Sequence, residues 1–201
     1  MFTVFIVDDD ERTVKALSRL MRVRGYEVQA FTSPHAFLAA HDATLPGCAV
    51  LDVSMPGLDG LELQQALTVA GAHRPIIFIT GQGDVPTTVR AMKAGALDFL
   101  TKPVSNDDLM AAIARAKEQD TQTRQRVAEL ASIDAKMATL TPREREVLGH
   151  VVSGRLNKQI AFELGTVENT IKFHRASIMR KLQVRTIADL VRFGEKAGVS
   201  K

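Results

Sequence analysis

The chain has 201 residues, and its composition, 45% hydrophobic and 24% charged, is that of globular domains rather than of a disordered protein. It contains no apolar run of the roughly 18–20 residues that a membrane-spanning helix needs, no basic flank beside its apolar start such as a signal peptide has, and a single cysteine. We therefore expect a cytoplasmic protein with no internal disulfide.

The formal net charge of +3 is unevenly divided along the chain. Residues 1–120 carry 11 Lys and Arg against 15 Asp and Glu, whereas residues 121–201 carry 15 against 8. This asymmetry predicts two domains with different partners, of which the basic one is the candidate for binding nucleic acid.

Short β-rich runs alternate with helical patterns over the first 104 residues. Two of the runs, VFIV and IIFI, are continuously apolar, as expected of parallel strands that helices cover on both faces. The alternation predicts an α/β domain with a flavodoxin-like, doubly wound, five-stranded parallel sheet. The predicted strands are Thr3–Val7, Glu27–Phe31, Cys48–Leu51, Pro75–Ile79 and Asp98–Leu100.

A long helical pattern begins at Ser105 and continues beyond residue 120. It carries a loose heptad through Val127, Leu130 and Met137, whose seam is interrupted by polar residues, Asp120 among them. We expect a long helical linker with weak pairing potential, and a solvated connector is the alternative. The predicted division is a first domain over 1–120, the linker over 121–138 and an all-α domain over 139–201.

Acidic and polar residues stand where the predicted strands end. Because the carboxyl ends of parallel strands meet at one edge of such a sheet, we expect these residues to line one crevice. Carboxylates that converge repel one another, and oxygen ligands suit magnesium, so the pattern predicts a divalent-cation site beside a pocket for a small oxyanion. The residues are Asp8 and Asp9 after strand one, Asp52 after strand three, Thr80 after strand four and Lys102 after strand five.

The first 120 residues resemble the receiver domain of two-component response regulators. The resemblance implies that Asp52 accepts a phosphoryl group from a histidine kinase. It also implies that Asp9, Asp52 and the backbone carbonyl of Ser54 hold Mg²⁺, while Asp8 acts mostly through water. The motifs that carry the resemblance are IVDDD (6–10), VLDVSMPGLDG (50–60), ITGQGDV (79–85) and AMKAGALDFLTKP (91–103).

The same resemblance implies a switch beside the acceptor. Thr80 and Lys102 would receive the phosphoryl oxygens, and Phe99 would be a rotating aromatic switch, with simple core packing as its alternative. The bond between Lys102 and Pro103 would be cis. The sequence looks most like the FixJ subgroup, which pairs through one face of the receiver when phosphorylated. In this chain that face is Val85–Ala94 and Asp98–Leu100, within residues 85–100.

The basic domain reads as four short helices with a helix-turn-helix pattern. A helical wheel of the third helix separates an apolar side from a polar side that includes an outward Phe. In a major groove Lys can reach guanine, Asn can read adenine and Phe can contact a thymine methyl, and a solvated basic helix is the alternative. The apolar side is Val167, Ile171, Ile178 and Leu182. The outward side is Asn169, Lys172, Phe173, Ala176 and Arg180.

Residues 139–196 resemble the LuxR-type helix-turn-helix of the NarL/FixJ family, through LTPREREVL (140–148), NKQIAFELG (157–165) and NTIKFHRASIMRKLQV (169–184). The resemblance implies base contacts by Lys172 and Phe173, flanked by Asn169 and Arg180. On the fourth helix, Leu190 and Val191 would either pair two subunits or pack beneath the third helix. Phosphate contacts, which position without specifying, are expected from Asn157, Lys158, Arg175 and Lys181.

The two resemblances together predict a DNA-binding transcriptional response regulator and not an enzyme. Phosphorylation of Asp52 would favour a dimer that binds paired half-sites. The expected partners are a histidine kinase, double-stranded DNA, a second copy of the chain and RNA polymerase, with no membrane. The alternatives are a phosphatase, a flavodoxin-like cofactor binder and a receiver that works without phosphate. The phosphatase is disfavoured because Asp52-Val53-Ser54 lacks a second carboxylate. The cofactor binder is disfavoured because acidic residues follow strand one, where they would repel a flavin phosphate. The receiver without phosphate is disfavoured because the set of acidic residues is complete.

Overall fold

The structure is a computed structural model that describes residues 1–81 and 85–199. Residues 82–84, which belong to the motif ITGQGDV, and the last two residues of the predicted basic domain lie outside the described residues. The chain divides into two compact units, Met1–Arg124 and Gln125–Lys201.

The first unit is a parallel five-stranded sheet in the order β2-β1-β3-β4-β5, with helices between the strands. This confirms the predicted doubly wound α/β fold. The strands are β1 (Thr3–Val7), β2 (Glu27–Phe31), β3 (Gly47–Asp52), β4 (Ile76–Thr80) and β5 (Asp98–Thr101). The helices are α1 (Glu11–Val23), α2 (Pro34–Ala40), α3 (Gly60–Val69), α4 (Val85–Lys93) and α5 (Asn106–Ala138).

The strands β1, β3 and β4 are buried along their whole length because helices cover both faces of the sheet. Successive side chains of a strand point to opposite faces, so Val4 and Ile6 join the core on the side of α1 and α5. Phe5 and Val7 join the core on the side of α2, α3 and α4. This burial explains why the continuously apolar runs were readable as strands.

Three strands differ slightly from the predicted bounds. β3, β4 and β5 each extend one residue further at the carboxyl end, because the parallel ladder pairs Asp52 with Ile79 and Thr80 with Thr101. Asp52 and Thr80 are therefore the last residues of their strands rather than the first residues of loops. Their backbones are fixed by the sheet, and their side chains start from a rigid edge.

The predicted long helix is present as the single 33-residue helix α5. Val127 and Leu130 on its seam are exposed. Asp120, which the heptad placed in this seam, is instead buried and accepts two hydrogen bonds from Arg124 Nε at 3.0 and 2.9 Å. The Arg124 guanidinium also donates to the carbonyls of residues 43–45, between α2 and β3. This part of α5 is thereby held to the first unit.

The described part of the second unit is helical, as predicted. Its core includes Leu190, which is fully buried and therefore packs within the unit, as the packing alternative expects. Val167 was predicted on the apolar side of the third helix, but it is exposed because it is the extended N-cap residue and not part of the helix. The helices after α5 are α6 (Pro142–Val152), α7 (Asn157–Glu163), α8 (Glu168–Leu182) and α9 (Ile187–Lys196).

Candidate functional sites

The side chains of Asp8, Asp52 and Lys102 meet at the carboxyl edge of the sheet, and we call this set the Asp52 crevice. The Lys102 Nζ lies 2.8 Å from Asp52 Oδ1 and 2.8 Å from Asp8 Oδ2. The other Asp52 oxygen, Oδ2, accepts a 2.8 Å hydrogen bond from the backbone N–H of Ser54. Both carboxylates are buried, so the single ammonium group of Lys102 offsets only one of their two negative charges if both are ionised.

The pKa values of Asp8 and Lys102 in the Asp52 crevice are set by two opposing effects, burial of the side chains and the hydrogen bonds between them. Burial raises the pKa of Asp8 above its usual value, and the hydrogen bond from Lys102 offsets this only in part. Burial by itself lowers the pKa of Lys102, but its hydrogen bonds to Asp52 and Asp8 outweigh it and raise the pKa. Lys102 is consequently a fixed cation that is already aimed at the acceptor carboxylate.

Close packing at the carboxyl end of β3 positions the Asp52 backbone. A Cβ at Gly60 would stand 2.4 Å from the Asp52 carbonyl oxygen, so only glycine allows α3 to begin this close to the strand. The N-terminus of α3 is then fixed by a reciprocal capping pair between Asp59 and Glu62. Spacing of apolar residues gave no indication of this contact.

The predicted switch residues lie next to the crevice. Thr80 is fully buried at the end of β4, and its carbonyl accepts a 2.7 Å hydrogen bond from the Lys102 N–H. Phe99 is half-buried on β5, with its ring centroid 6.2 Å from that of Phe78. The Phe99 side chain is therefore partly packed in the core and partly exposed at the surface. The bond between Lys102 and Pro103 is cis, as the resemblance implied.

The predicted magnesium ligands are only partly brought together. Asp8 and Asp52 converge on Lys102, whereas Asp9 is exposed and, among the described residues, forms no hydrogen bond or ion pair with any of the three. Within residues 1–81 and 85–199 no group of three or more His, Cys, Asp or Glu side chains is placed to hold a metal. Two buried carboxylates at one edge nevertheless supply the oxygen donors that Mg²⁺ prefers, and water can complete its shell.

The surface expected to pair receivers carries an apolar stripe on α4. Val85, Val89 and Met92 are exposed, and their i, i+4, i+7 spacing puts them on one side of the helix. We call these three residues the α4 stripe. Exposed Arg90 lies on the same helix, and Asp98 of β5 pairs with Arg115.

The outward side of α8 is as the helical wheel predicts. Asn169, Lys172 and Arg180 are exposed, and Phe173 exposes 72% of its surface although it is aromatic. Lys172 also lies 3.3 Å from Glu168 one turn earlier, a weak surface pair that leaves its ammonium group accessible.

The four predicted phosphate contacts differ in their surroundings. Lys158 is exposed, while Arg175 of α8 donates a hydrogen bond to the Asn157 side chain and so joins α8 to α7. Lys181 is directed to the buried carboxylate of Glu144, 2.6 Å away. Lys181 thus has a structural partner inside the unit, which its sequence position did not reveal.

Two features of the second unit were missed at the level of sequence. The sequence pattern gave no sign that Glu144 is buried, yet it is, and its pair with Lys181 spans 37 residues of sequence. Phe162 on α7 is almost fully exposed. A seven-residue helix is too short for apolar periodicity, but a Phe four residues after Lys158 in a short amphipathic segment was the available signal.

Profiles of known families match both units. Residues 4–114 match the family described as "Response regulator receiver domain", and residues 138–193 match "Bacterial regulatory proteins, luxR family". Nodulation protein W of Bradyrhizobium diazoefficiens is 44% identical over 197 residues, 98% of this chain and 87% of that protein. The transcriptional regulatory protein FixJ of the same organism is 40% identical over 196 residues, 98% of this chain and 96% of FixJ.

Solved structures resemble the whole chain as well. The response regulator StyR is 45% identical and has a TM-score of 0.91, covering 97% of this chain and 98% of its own. Full-length FixJ from B. japonicum is 39% identical, with a TM-score of 0.60 and coverage of 99% and 98%. In the part of the chain that the structure describes, no helix is both long and apolar enough to cross a membrane.

Proposed function

The chain belongs to the NarL/FixJ family of response regulators, in which a receiver domain is joined to a luxR-type DNA-binding domain, and we propose that phosphorylation of Asp52 favours a dimer that binds paired DNA half-sites. Family membership makes it a two-component regulator of transcription rather than an enzyme. The observation that carries the proposal is the pairing of buried Asp52 with Lys102 at 2.8 Å.

The proposed phosphoryl donor is a histidine kinase. The phosphorus–nitrogen bond of a phosphohistidine breaks as an Asp52 carboxylate oxygen forms the new phosphorus–oxygen bond. This reaction needs positioning and charge neutralisation more than covalent help from the protein. The Ser54 N–H orients the carboxylate and Lys102 neutralises the transferred group. Bound Mg²⁺, held by Asp9, Asp52 and the Ser54 carbonyl with Asp8 acting through water, would supply further neutralising charge.

The proposed switch follows from the added charge. A phosphoryl group brings about −1.5 to −2 units of charge, which attracts the Lys102 ammonium and the Thr80 hydroxyl. Thr80 is the last residue of β4, and Phe99 stands on the neighbouring strand β5 with one side at the surface. A movement of Thr80 toward the phosphoryl group would open space for the Phe99 ring and alter the surface of α4 and β5.

The proposed dimer contact is the 85–100 face, formed by Val85–Ala94 and Asp98–Leu100. The α4 stripe supports it, because three exposed apolar residues on one side of a nine-residue helix provide an apolar centre for a contact. Arg90 and Lys93 flank the stripe with positive charge. A preformed dimer raises the effective concentration of the second DNA-binding domain at a paired site.

The proposed DNA contacts divide into two classes. Lys172 and Phe173, flanked by Asn169 and Arg180, would read bases in the major groove. Asn157, Lys158 and Arg175 would hold phosphates. Lys181 would contribute less, because Glu144 occupies its ammonium group.

The remaining proposals follow from these roles. RNA polymerase is a proposed partner, and a regulator that meets a kinase and DNA would act in the cytoplasm. We propose functional domain bounds of 1–120, 121–138 and 139–201. These bounds are supported by the family matches, of which the first ends at residue 114 and the second begins at residue 138. The boundary between the two compact units, after Arg124, falls between these positions.

Intact-mass spectrometry tests the acceptor assignment. Incubation with acetyl phosphate and Mg²⁺ should add about one phosphoryl group per chain, and Asp52→Asn should abolish the gain. Asp42→Asn, which removes an exposed carboxylate beyond the other edge of the sheet, is the matched control and should be phosphorylated normally. The same mass gain in Asp52→Asn would overturn the assignment.

A further inference from the structure

The helix α8 begins with an acidic side chain. Glu168 is its first residue and its only Asp or Glu, in a helix of 15 residues that the structure describes completely. The other charged residues of the helix include Lys172, Arg175, Arg180 and Lys181. DNA phosphates repel a carboxylate, so an acidic side chain on a helix proposed to enter the major groove weakens binding unless it gains a specific contact there.

Glu168 lies against Lys172, one of the proposed base readers. The Lys172 Nζ is 3.3 Å from Glu168 Oε1, and the two side chains remain 61% and 48% exposed. Side chains of a helix lean toward its N-terminus, so Lys172 is directed toward the end at which Glu168 stands. In helix-turn-helix proteins the N-terminal residues of the second helix contact base edges. The pair therefore presents an ammonium group and a carboxylate side by side at that end.

The major-groove edge of a G·C pair offers complementary groups. Guanine N7 and O6 are acceptors, and the cytosine N4 amino group is a donor. O6 and N4 are the two ends of one Watson–Crick hydrogen bond, about 2.9 Å apart. This separation is close to that between Lys172 Nζ and Glu168 Oε1, so both protein groups can contact one base pair without leaving each other.

We infer that Glu168 and Lys172 read one G·C pair as a unit, with Lys172 donating to guanine and Glu168 accepting from the cytosine N4 amino group. The inference rests on the proposed function and deepens it by adding a specificity-determining residue. A carboxylate only accepts hydrogen bonds, and the amino groups of cytosine and adenine are the donors of the major groove. Guanine gives the Lys172 ammonium group two acceptors and adenine gives it one, which selects cytosine as the partner of Glu168.

Two other roles of Glu168 have different consequences. A carboxylate in the first turn of a helix stabilises that helix through the macrodipole, and its removal would weaken binding to all sequences together with the stability of the unit. A carboxylate that only repels phosphates would, when removed, strengthen binding to all sequences. Neither role changes the preference at one base pair, so that preference is the decisive measurement.

A binding selection with the full-length, phosphorylated protein locates the contact. The relevant base pair is the one at which Lys172→Ala relaxes a preference for G·C. Glu168→Ala should relax the preference at this same pair and at no other. Glu195→Ala, which removes an exposed carboxylate of α9 in the same unit, is the control and should leave every preference unchanged.

One altered base then isolates the hydrogen bond. Replacing the cytosine of that pair by 2-pyrimidinone removes the N4 amino group and keeps guanine O6 and N7 in place. In fluorescence anisotropy the unaltered protein should bind this DNA about tenfold more weakly or worse, the effect of one hydrogen bond to a charged group. Glu168→Ala has no such contact to lose and should bind both DNAs alike, and any weakening of the duplex itself affects the two proteins equally.

The possible failures are distinguishable. Equal losses of the two proteins on the 2-pyrimidinone DNA, a uniform change of affinity in Glu168→Ala, or a relaxed preference at an A·T pair would each overturn the reading of cytosine by Glu168. Failure of the unaltered, phosphorylated protein to bind any selected DNA, or the absence of any pair at which Lys172→Ala relaxes the preference, would instead refute the proposed function.

Discussion

Partly buried Lys181 and buried Glu144 form an ion pair, 2.6 Å between Nζ and Oε2, that ties the last turn of α8 to the first turn of α6. Glu144 also accepts hydrogen bonds from the Thr141 N–H and the Ser177 hydroxyl, both at 2.8 Å. Only 4% of the residue is exposed. A carboxylate with this many donors fixes the orientation of α8, and with it the direction in which the proposed base-reading side chains point.

This pair predicts a specific dependence of stability on pH. Burial raises the pKa of Glu144, but hydrogen bonds from Lys181, Thr141 and Ser177 outweigh it and lower the pKa from 4.5 to about 2. A carboxyl whose pKa is lowered by folding stabilises the native state fully above its unfolded pKa. We therefore expect this stabilisation of the second unit to be present above pH 4.5 and to be lost as the pH falls toward 2.

Glu144→Gln tests the pair by calorimetry of the full chain. It leaves the Lys181 charge without its partner, so we expect the unfolding free energy of the second unit to fall by about 3–5 kcal/mol at neutral pH. Below pH 4.5 the difference from the unaltered protein should shrink. Glu146→Gln on the same helix breaks only an exposed pair with Arg143 and should cost less than about 1 kcal/mol. Equal losses in the two variants would contradict the role of Glu144.

A second prediction concerns the ammonium group of the Asp52 crevice. Lys102→Met removes the cation that we propose responds to the phosphoryl group. We expect the dimerisation induced by beryllofluoride, a phosphoryl mimic, to weaken about tenfold or more, because a hydrogen bond to a charged group is lost. Analytical ultracentrifugation measures this, and Lys117→Met, at an exposed position of α5, is the control. Dimerisation of Lys102→Met at the level of the control would remove Lys102 from the switch.

The fold of the first unit was predictable from sequence because its apolar runs and the residues that follow them indicate the topology of the sheet. Continuously apolar runs require burial on both faces, and the carboxyl ends of parallel strands lie at one edge, so the sequence alone predicts that Asp8, Asp52 and Lys102 lie together. Asp9, which follows Asp8 directly, is exposed, and its part in binding Mg²⁺ stays a prediction. Both residues follow the end of β1, where the sheet no longer fixes the direction of a side chain, so the rule places them at this edge without specifying how each side chain is oriented.

The contact partners of long polar side chains were less predictable from sequence. Arg124 pairs with Asp120 and donates to three loop carbonyls about 80 residues away in sequence, so a heptad pattern could not reveal that Asp120 belongs to the first unit. Lys181 likewise looked like any basic residue on a DNA-binding helix. Its partner Glu144 lies on another helix, and helical periodicity carries no information about such a contact.

A third prediction addresses the α4 stripe. Val89→Asp puts a charge in the middle of the apolar stripe, and Arg90→Glu reverses the charge beside it. Both should weaken phosphorylation-dependent dimerisation about tenfold or more while leaving binding to a single half-site near normal. Val69→Asp on α3 is the control, because Val69 is 83% exposed but lies outside the 85–100 face.

The result of this experiment distinguishes two modes of activation. If phosphorylated protein remains monomeric in ultracentrifugation and yet binds its paired site more tightly, dimerisation is not the mechanism. Release of an inhibitory contact within one chain would then explain activation. Half-sites spaced about 10–10.5 base pairs apart, or by a multiple, are the matching expectation for DNA, because both α8 helices would then meet the same side of the duplex.

The last prediction separates base readers from phosphate contacts. Lys172→Ala and Phe173→Ala should each relax specificity at particular base pairs, at a cost of about 1–3 kcal/mol against the preferred site. Lys158→Ala should weaken binding to all sequences alike and lower the slope of log affinity against log salt by about one, because one fewer counterion is released. Lys158 is a sharper probe than Arg175, whose hydrogen bond to Asn157 also supports the packing of α7 on α8.

Binding selections at several salt concentrations measure both effects together. Arg175→Ala should combine the uniform loss of a phosphate contact with a lower unfolding temperature of the second unit, whereas Lys158→Ala should leave that temperature unchanged because Lys158 is exposed. Lys181→Ala should mainly destabilise the unit, since its charge is engaged by buried Glu144. If Lys172→Ala weakened all sequences equally and Lys158→Ala changed the preferred bases, the roles of α8 and α7 would have to be exchanged.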